Sequence, residues 1–204
     1  MSSNRITGDM KAKKGFSRRS VSAVRKNYWA RYCLVLLTGV SLLVMSSLFA
    51  FAEEDFTEDD KEKQRVVYDL YNDYKESFPD VREISAREAM ALMKTKPVVF
   101  VDTRKPKEQK VSMLPGAVTE KRFKNNMEGY EGHVIVGYCT ISYRSGKLAE
   151  ELSDRGIEML NLKGGMLAWV HEGGKVYDRD GETKRVHVYW KKWNYLPGGY
   201  EAVW

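Results

Sequence analysis

The sequence predicts an α/β fold with a central, mostly parallel sheet flanked by helices, and three observations carry that prediction. Val98–Val101 and Val134–Tyr138 are short apolar runs rich in β-branched residues, the pattern of strands buried on both faces. Helical patterns alternate with them. Ser85 and Glu88 match a capping box that opens a helix to about Met93, and Gly146–Leu152 reads as a helix after the second apolar run. Strands that alternate with helices run parallel, because each crossover returns the chain to the same end of the sheet.

Along the chain, residues 1–52 form a basic leader and an apolar segment. Nine Lys and Arg stand there against a single acid, Asp9, so the rest of the chain is net acidic although the whole carries +6. The basic balance belongs to the leader, and nucleic-acid binding is not expected. Cys33–Ala52 holds no charge across its 20 positions and closes on Ala50-Phe51-Ala52. A basic flank, an apolar run and a small-x-small ending describe a signal peptide. The run also approaches the ~20 residues that span a bilayer, so membrane anchoring by residues 33–52 is the rival reading. Both place residues 53–204 outside the cytoplasm, as in a periplasm.

Residues 53–63 are acidic and polar and read as a flexible linker. Gln64–Phe78 then sets Val66, Val67, Leu70, Tyr71, Tyr74 and Phe78 at helical spacing, ended by Pro79-Asp80. At the other end, Lys175–Trp204 holds Tyr177, Tyr189, Trp190, Trp193, Tyr195, Tyr200 and Trp204. Asp178–Gly181 suits a hairpin turn and Arg185–Trp190 alternates like a strand. This extension reads as a strap that packs its rings on the domain, with docking of a protein partner as the sharper alternative.

The chemistry concentrates in the loop Cys139-Thr140-Ile141-Ser142-Tyr143-Arg144. A cysteine that leaves a strand and faces a helix N-terminus sits among unpaired backbone N–H groups and the positive end of the helix dipole. That setting favours the thiolate, which is the nucleophile, and Arg144 adds positive charge. Asp102 and Arg104 fall at the end of the neighbouring strand, where ligands bind in parallel sheets, and join the candidates. Ser142 and Ser145 offer hydroxyl donors to an anion, and Tyr143 is placed at the entrance. Cys139 is the one cysteine beyond the leader, since the only other is Cys33. His133, His171 and His187 show no metal-ligand spacing and there is no Cys-x-x-Cys, so neither a metal nor an organic cofactor is expected.

Five blocks in order then resemble the rhodanese (sulfurtransferase) family: Val81–Ala89, Val98–Arg104, Glu108 with Leu114–Val118, Tyr138–Ser145, and Leu162–Trp169 with Gly173. The resemblance spans residues 81–178 and leaves 53–80 as linker and helix and 179–204 as an aromatic extension. It implies a sheet of about five strands. It also implies a persulfide on Cys139, cradled by Arg144 and by a substrate loop of Thr140, Ile141, Ser142, Tyr143 and Ser145. Four residues separate Cys139 from Arg144, the spacing of the family's sulfurtransferases; relatives with five resemble phosphatases and arsenate reductases. The expected activity is transfer of a sulfane sulfur from thiosulfate or a persulfide to a thiol or cyanide. The alternative is a non-catalytic sulfur carrier or partner-binding module. This chain departs from the family's usual pattern at Ser112-Met113, at Ser142 and in the short stretch Glu120–Gly132.

Overall fold

The computed structural model describes residues 57–204. The leader and its signal or anchor segment lie outside the described residues. Helix α1 (Glu58–Lys75) leads into β1 (Glu83–Ile84), α2 (Ala86–Leu92), β2 (Val98–Asp102) and the short α3 (Pro106–Gln109). Next come β3 (Val118–Thr119), α4 (Glu120–Asn125), β4 (Val134–Tyr138), α5 (Tyr143–Ser153), β5 (Leu160–Leu162) and α6 (Gly165–His171). These five strands form one parallel sheet in the order β1-β5-β4-β2-β3. Among the described residues no helix is long and apolar enough to cross a membrane.

The sheet is covered on both faces, and alternation along β2 shows why. Phe100 joins one apolar cluster with Val136, Tyr138, Leu162 and Trp169. Val99 and Val101 join the other with Phe123, Leu148 and Leu152. Successive strand residues point to opposite faces, so one apolar run feeds two cores. Full burial of a side chain such as Phe100 contributes about 1.5–3 kcal/mol.

One expectation needs correction. The acidic stretch 53–63 is not linker throughout, because α1 begins at Glu58. Thr57 Oγ1 accepts the N–H of Asp60 at 3.1 Å, and Asp60 accepts the N–H of Thr57 at 3.4 Å, a complete capping box. Glu58, Asp59 and Asp60 in the first turn suit the helix dipole, and Lys63 pairs with Asp59 one turn on. The acids that made the stretch look disordered are what start the helix. The other end stops at Lys75, short of the expected Phe78. Phe78 instead turns into the core against Gly146, where its ring leaves no room for a Cβ.

The C-terminal region is built into the same body. A hairpin of β6 (Val176–Asp178) and β7 (Gly181–Thr183) precedes β8 (Arg185–His187), which pairs in parallel with β9 (Glu201–Val203). Val186, Val188 and Leu196 are buried in the first cluster. Buried Asp60 also accepts the N–H of Gly198 at 2.8 Å, so the cap of α1 holds the extension down. Thr57→Ala is expected to cost about 1 kcal/mol through loss of the cap. Asp60→Ala should cost more in urea denaturation, since it also orphans Gly198 N–H. Equal losses would show that the link to the extension carries no stability.

Candidate functional site

Cys139 follows the last residue of β4, the central strand, beside the end of β2. Strand β4 pairs Tyr138 with Asp102 in parallel, so both strands end on the same, C-terminal side of the sheet. The loop turns into α5 at Ser142, which adopts a left-handed conformation with φ 67°. A non-glycine residue costs about 1–2 kcal/mol there. Neighbours hold it in place. Asn161 Nδ2 donates to the Ser142 carbonyl at 3.0 Å, and Gly146 N–H donates to the same oxygen at 3.1 Å. The result is that Ser142 N–H points back at Cys139 and donates to Sγ at 3.1 Å.

Helix α6 fixes the loop from behind. The N–H groups of Met166 and Leu167 donate to the carbonyls of Cys139 and Thr140 at 3.0 and 3.2 Å. Gly165 must be glycine for this approach. Its φ is +60°, and a Cβ would lie 2.5 Å from the Cys139 carbonyl oxygen. The loop therefore owes its shape to two helices, with carbonyls tied to α6 and the sulfur at the N-terminus of α5.

Arg144 lies near the Cys139 sulfur and is at the same time held by a carboxylate. Its two terminal nitrogens donate to the two carboxylate oxygens of Glu108, each at 2.8 Å. Glu108 is fully buried on α3 and also accepts the N–H of Lys105 at 2.9 Å and the Thr140 hydroxyl at 3.3 Å. Burial favours its neutral form, yet the Arg144 and Lys105 hydrogen bonds outweigh it and hold its pKa at about 2. For Arg144, burial disfavours the cation, but Glu108 and then the Cys139 sulfur raise its pKa further. Glu108 thus belongs to the site. It was legible only as a family position, with no hint of its partner.

Above the sulfur lies a pocket of about 390 Å³ lined by Cys139, Thr140, Ile141, Tyr143 and Arg144, as the loop predicts. Four further residues complete it: Tyr74 from α1, Lys105 before α3, and Tyr189 and Trp193 from the C-terminal extension. Spacing could not have found them, because they meet the loop only through the fold. A larger cleft of about 820 Å³, along Gln109–Ala117 and Tyr177–Asp180, holds no nucleophile.

Four predicted residues do not line the pocket. Ser142 Oγ is buried away from it and has no hydrogen-bond partner among the described residues, so its role is that of its backbone N–H. Ser145 Oγ is buried and donates to Asn161 Oδ1 at 2.7 Å. Asp102 and Arg104 form an ion pair at 2.7 Å with both side chains fully buried. Tyr138 OH donates to the same Asp102 oxygen at 2.6 Å. This strut joins β2 to β4 beneath the loop. Burial disfavours the Arg104 cation, but the charge and hydrogen bonds of Asp102 raise its pKa overall. None of the three histidines lines the pocket. Nε2 of His171 lies 2.7 Å from the Tyr195 carbonyl, and His187 Nδ1 accepts the N–H of Tyr189 at 3.0 Å. Among the described residues no cluster of three metal-ligating side chains forms.

The model of the rhodanese-like domain family matches residues 85–172. A rhodanese-related protein from Thermoplasma volcanium is 22% identical, over 47% of this chain and 96% of its own, with a TM-score of 0.41. A rhodanese-like domain protein from Staphylococcus aureus is 28% identical over 44% of this chain and 91% of its own, with a TM-score of 0.39. A thiosulfate sulfurtransferase from Pseudomonas aeruginosa is 13% identical over 55% of this chain and 23% of its own, with a TM-score of 0.42. No curated protein matches the chain.

Proposed function

We propose, from the match of residues 85–172 to the rhodanese-like domain family, a sulfurtransferase that carries sulfur on Cys139. One observation supports the reading above others: the Sγ of Cys139 sits at the floor of an open pocket and accepts the N–H of Ser142 at 3.1 Å. The Cys139 thiolate attacks the outer sulfur of a donor such as thiosulfate. A new S–S bond forms, the donor S–S bond breaks, and sulfite leaves with its electron pair. The Cys139 persulfide anion then rests among the loop's N–H groups and the N-terminus of α5. A thiolate acceptor attacks the outer sulfur, takes it as a persulfide and returns Cys139 to the thiolate, a ping-pong cycle. Arg144, clamped by Glu108, positions the loop and contributes part of a charge. The uncharged run of residues 33–52 behind a basic flank supports action outside the cytoplasm, which N-terminal sequencing of the mature protein would check.

The test is mass spectrometry after thiosulfate treatment. An adduct of about 32 Da, one sulfur atom on the nucleophile, is expected on Cys139 and absent from Cys139→Ser. Turnover that survives in Cys139→Ser would sink the proposal. The exposed Trp190 and Trp204, 60% and 57% accessible, favour a second reading, a sulfur carrier that docks a partner through the extension. It predicts that the persulfide loads without turnover on small acceptors.

A further inference from the structure

Among the described residues only two non-glycine residues have positive φ: Ser142, in the Cys139 loop, and Tyr189, which lines the pocket. Ser142 shapes the nucleophile loop. A bulky residue at φ 69° is rare, and such strain persists only where surroundings impose it. In this conformation the Tyr189 N–H donates to His187 Nδ1 at 3.0 Å. The outcome is that its ring lies 5.5 Å from the Arg144 guanidinium and 6.0 Å from the Trp193 ring. Trp193 in turn stacks on Tyr74 at 6.3 Å, and Tyr74 meets Tyr143 at 5.2 Å. A continuous aromatic arc therefore walls the mouth above Cys139, half of it supplied by the extension.

Size and charge say what this mouth takes. A volume of about 390 Å³ falls within the range that encloses organic ligands of many atoms, roughly 300–1,000 Å³. Inorganic thiosulfate would leave most of it empty. The lining cations are Lys105 and Arg144, but Glu108 lies directly behind Arg144 and offsets most of its charge. That leaves the charge of Lys105, a match for a monoanion and not for a hydrated dianion, which sheds water at high cost against aromatic walls. An apolar body gains by burial and by offset contact with the rings.

Resting on the sulfur-transfer reading above, we infer that the donor is an organic sulfane-sulfur monoanion whose apolar body packs against Trp193 and Tyr189. With a thiosulfonate, the Cys139 thiolate takes the outer sulfur, the S–S bond breaks, and an organic sulfinate leaves with the electron pair. One negative charge is carried by each partner before and after. Trp193 and Tyr189 are specificity residues for this reaction.

The experiment compares benzenethiosulfonate, methanethiosulfonate and thiosulfate as donors to the wild type, Trp193→Ala and Trp193→Phe. Both organic donors share the reactive head and differ in the body. Trp193→Ala is expected to lower kcat/KM for benzenethiosulfonate by about tenfold, mainly through KM, as loss of ring burial and contact implies. Its preference for benzenethiosulfonate over methanethiosulfonate should fall at least about fivefold, and Trp193→Phe should restore it. A preference unchanged in Trp193→Ala overturns the inference and leaves sulfur transfer standing. Absence of a Cys139 persulfide with all three donors overturns sulfur transfer itself, and the inference with it.

Discussion

Asp102→Ala is expected to destabilise the domain by about 3–5 kcal/mol, the cost of breaking a fully buried ion pair from one side. Typical domains have only about 5–15 kcal/mol of net stability, so a sharp loss of folded, soluble protein should accompany it. The damage comes from the group left behind. Arg104 has no accessible side-chain surface and cannot shed its proton. Without Asp102 it keeps weaker partners, the Ser112 carbonyl, the Met166 sulfur and the Tyr138 ring face. Tyr138 OH also loses its acceptor. Removing the charge as well should help, since buried pairs are often replaced by apolar residues at little cost. Asp102→Ala combined with Arg104→Met is therefore expected to be more stable than Asp102→Ala alone in urea unfolding. A double variant no better than the single would show that the stranded charge is not the cause.

Glu108→Gln is expected to remove about 3 kcal/mol at neutral pH, the equivalent of an unfolded carboxyl at 4.5 held at about 2 in the fold. The sign is set by the direction of the shift. A lowered pKa means that the unfolded chain binds the proton more tightly. The stabilisation is fully present above about pH 4.5, fades as pH falls toward about 2, and is absent below. Thermal melts at pH 7 and pH 3 should show a large fall in Tm for the wild type and a smaller one for Glu108→Gln. Identical acid sensitivity would exclude the Arg144–Glu108 pair as its source. The variant also releases Arg144 from its bidentate clamp, so the loop above Thr140 should lose order.

Much of the fold was legible because its signals are local. The apolar runs that became β2 and β4, and the capping box at Ser85, depend on neighbours within one turn or one strand. The geometry of the Cys139 loop was legible for the same reason: Cys139 and its helix lie within a few residues. The linker reading of 53–63 failed because composition was weighed ahead of capping, which Thr57 and Asp60 supply. The pocket wall was out of reach. Tyr74, Tyr189 and Trp193 are separated from Cys139 by half the domain, and aromatic spacing along a chain does not say which rings will meet. The serines misled for a subtler reason. Ser142 and Ser145 sit at the right positions, but helix geometry turns Ser145 toward Asn161, and the left-handed turn at Ser142 presents its N–H in place of its hydroxyl.

The parallel pairing of β8 with β9 has an evolutionary side. Residues 188–200 leave and return to the same short ladder, and the span carries Tyr189 and Trp193 without entering the five-stranded sheet. Such a clasped loop can be rewritten while Cys139, the Arg144–Glu108 clamp and the sheet stay as they are. Insertions or exchanges there would retune which molecules reach Cys139, much as hypervariable loops change a binding surface on a constant frame. Natural diversity in the entrance should therefore collect in this one segment, and grafting it between homologous domains should transfer preference while leaving the reaction intact.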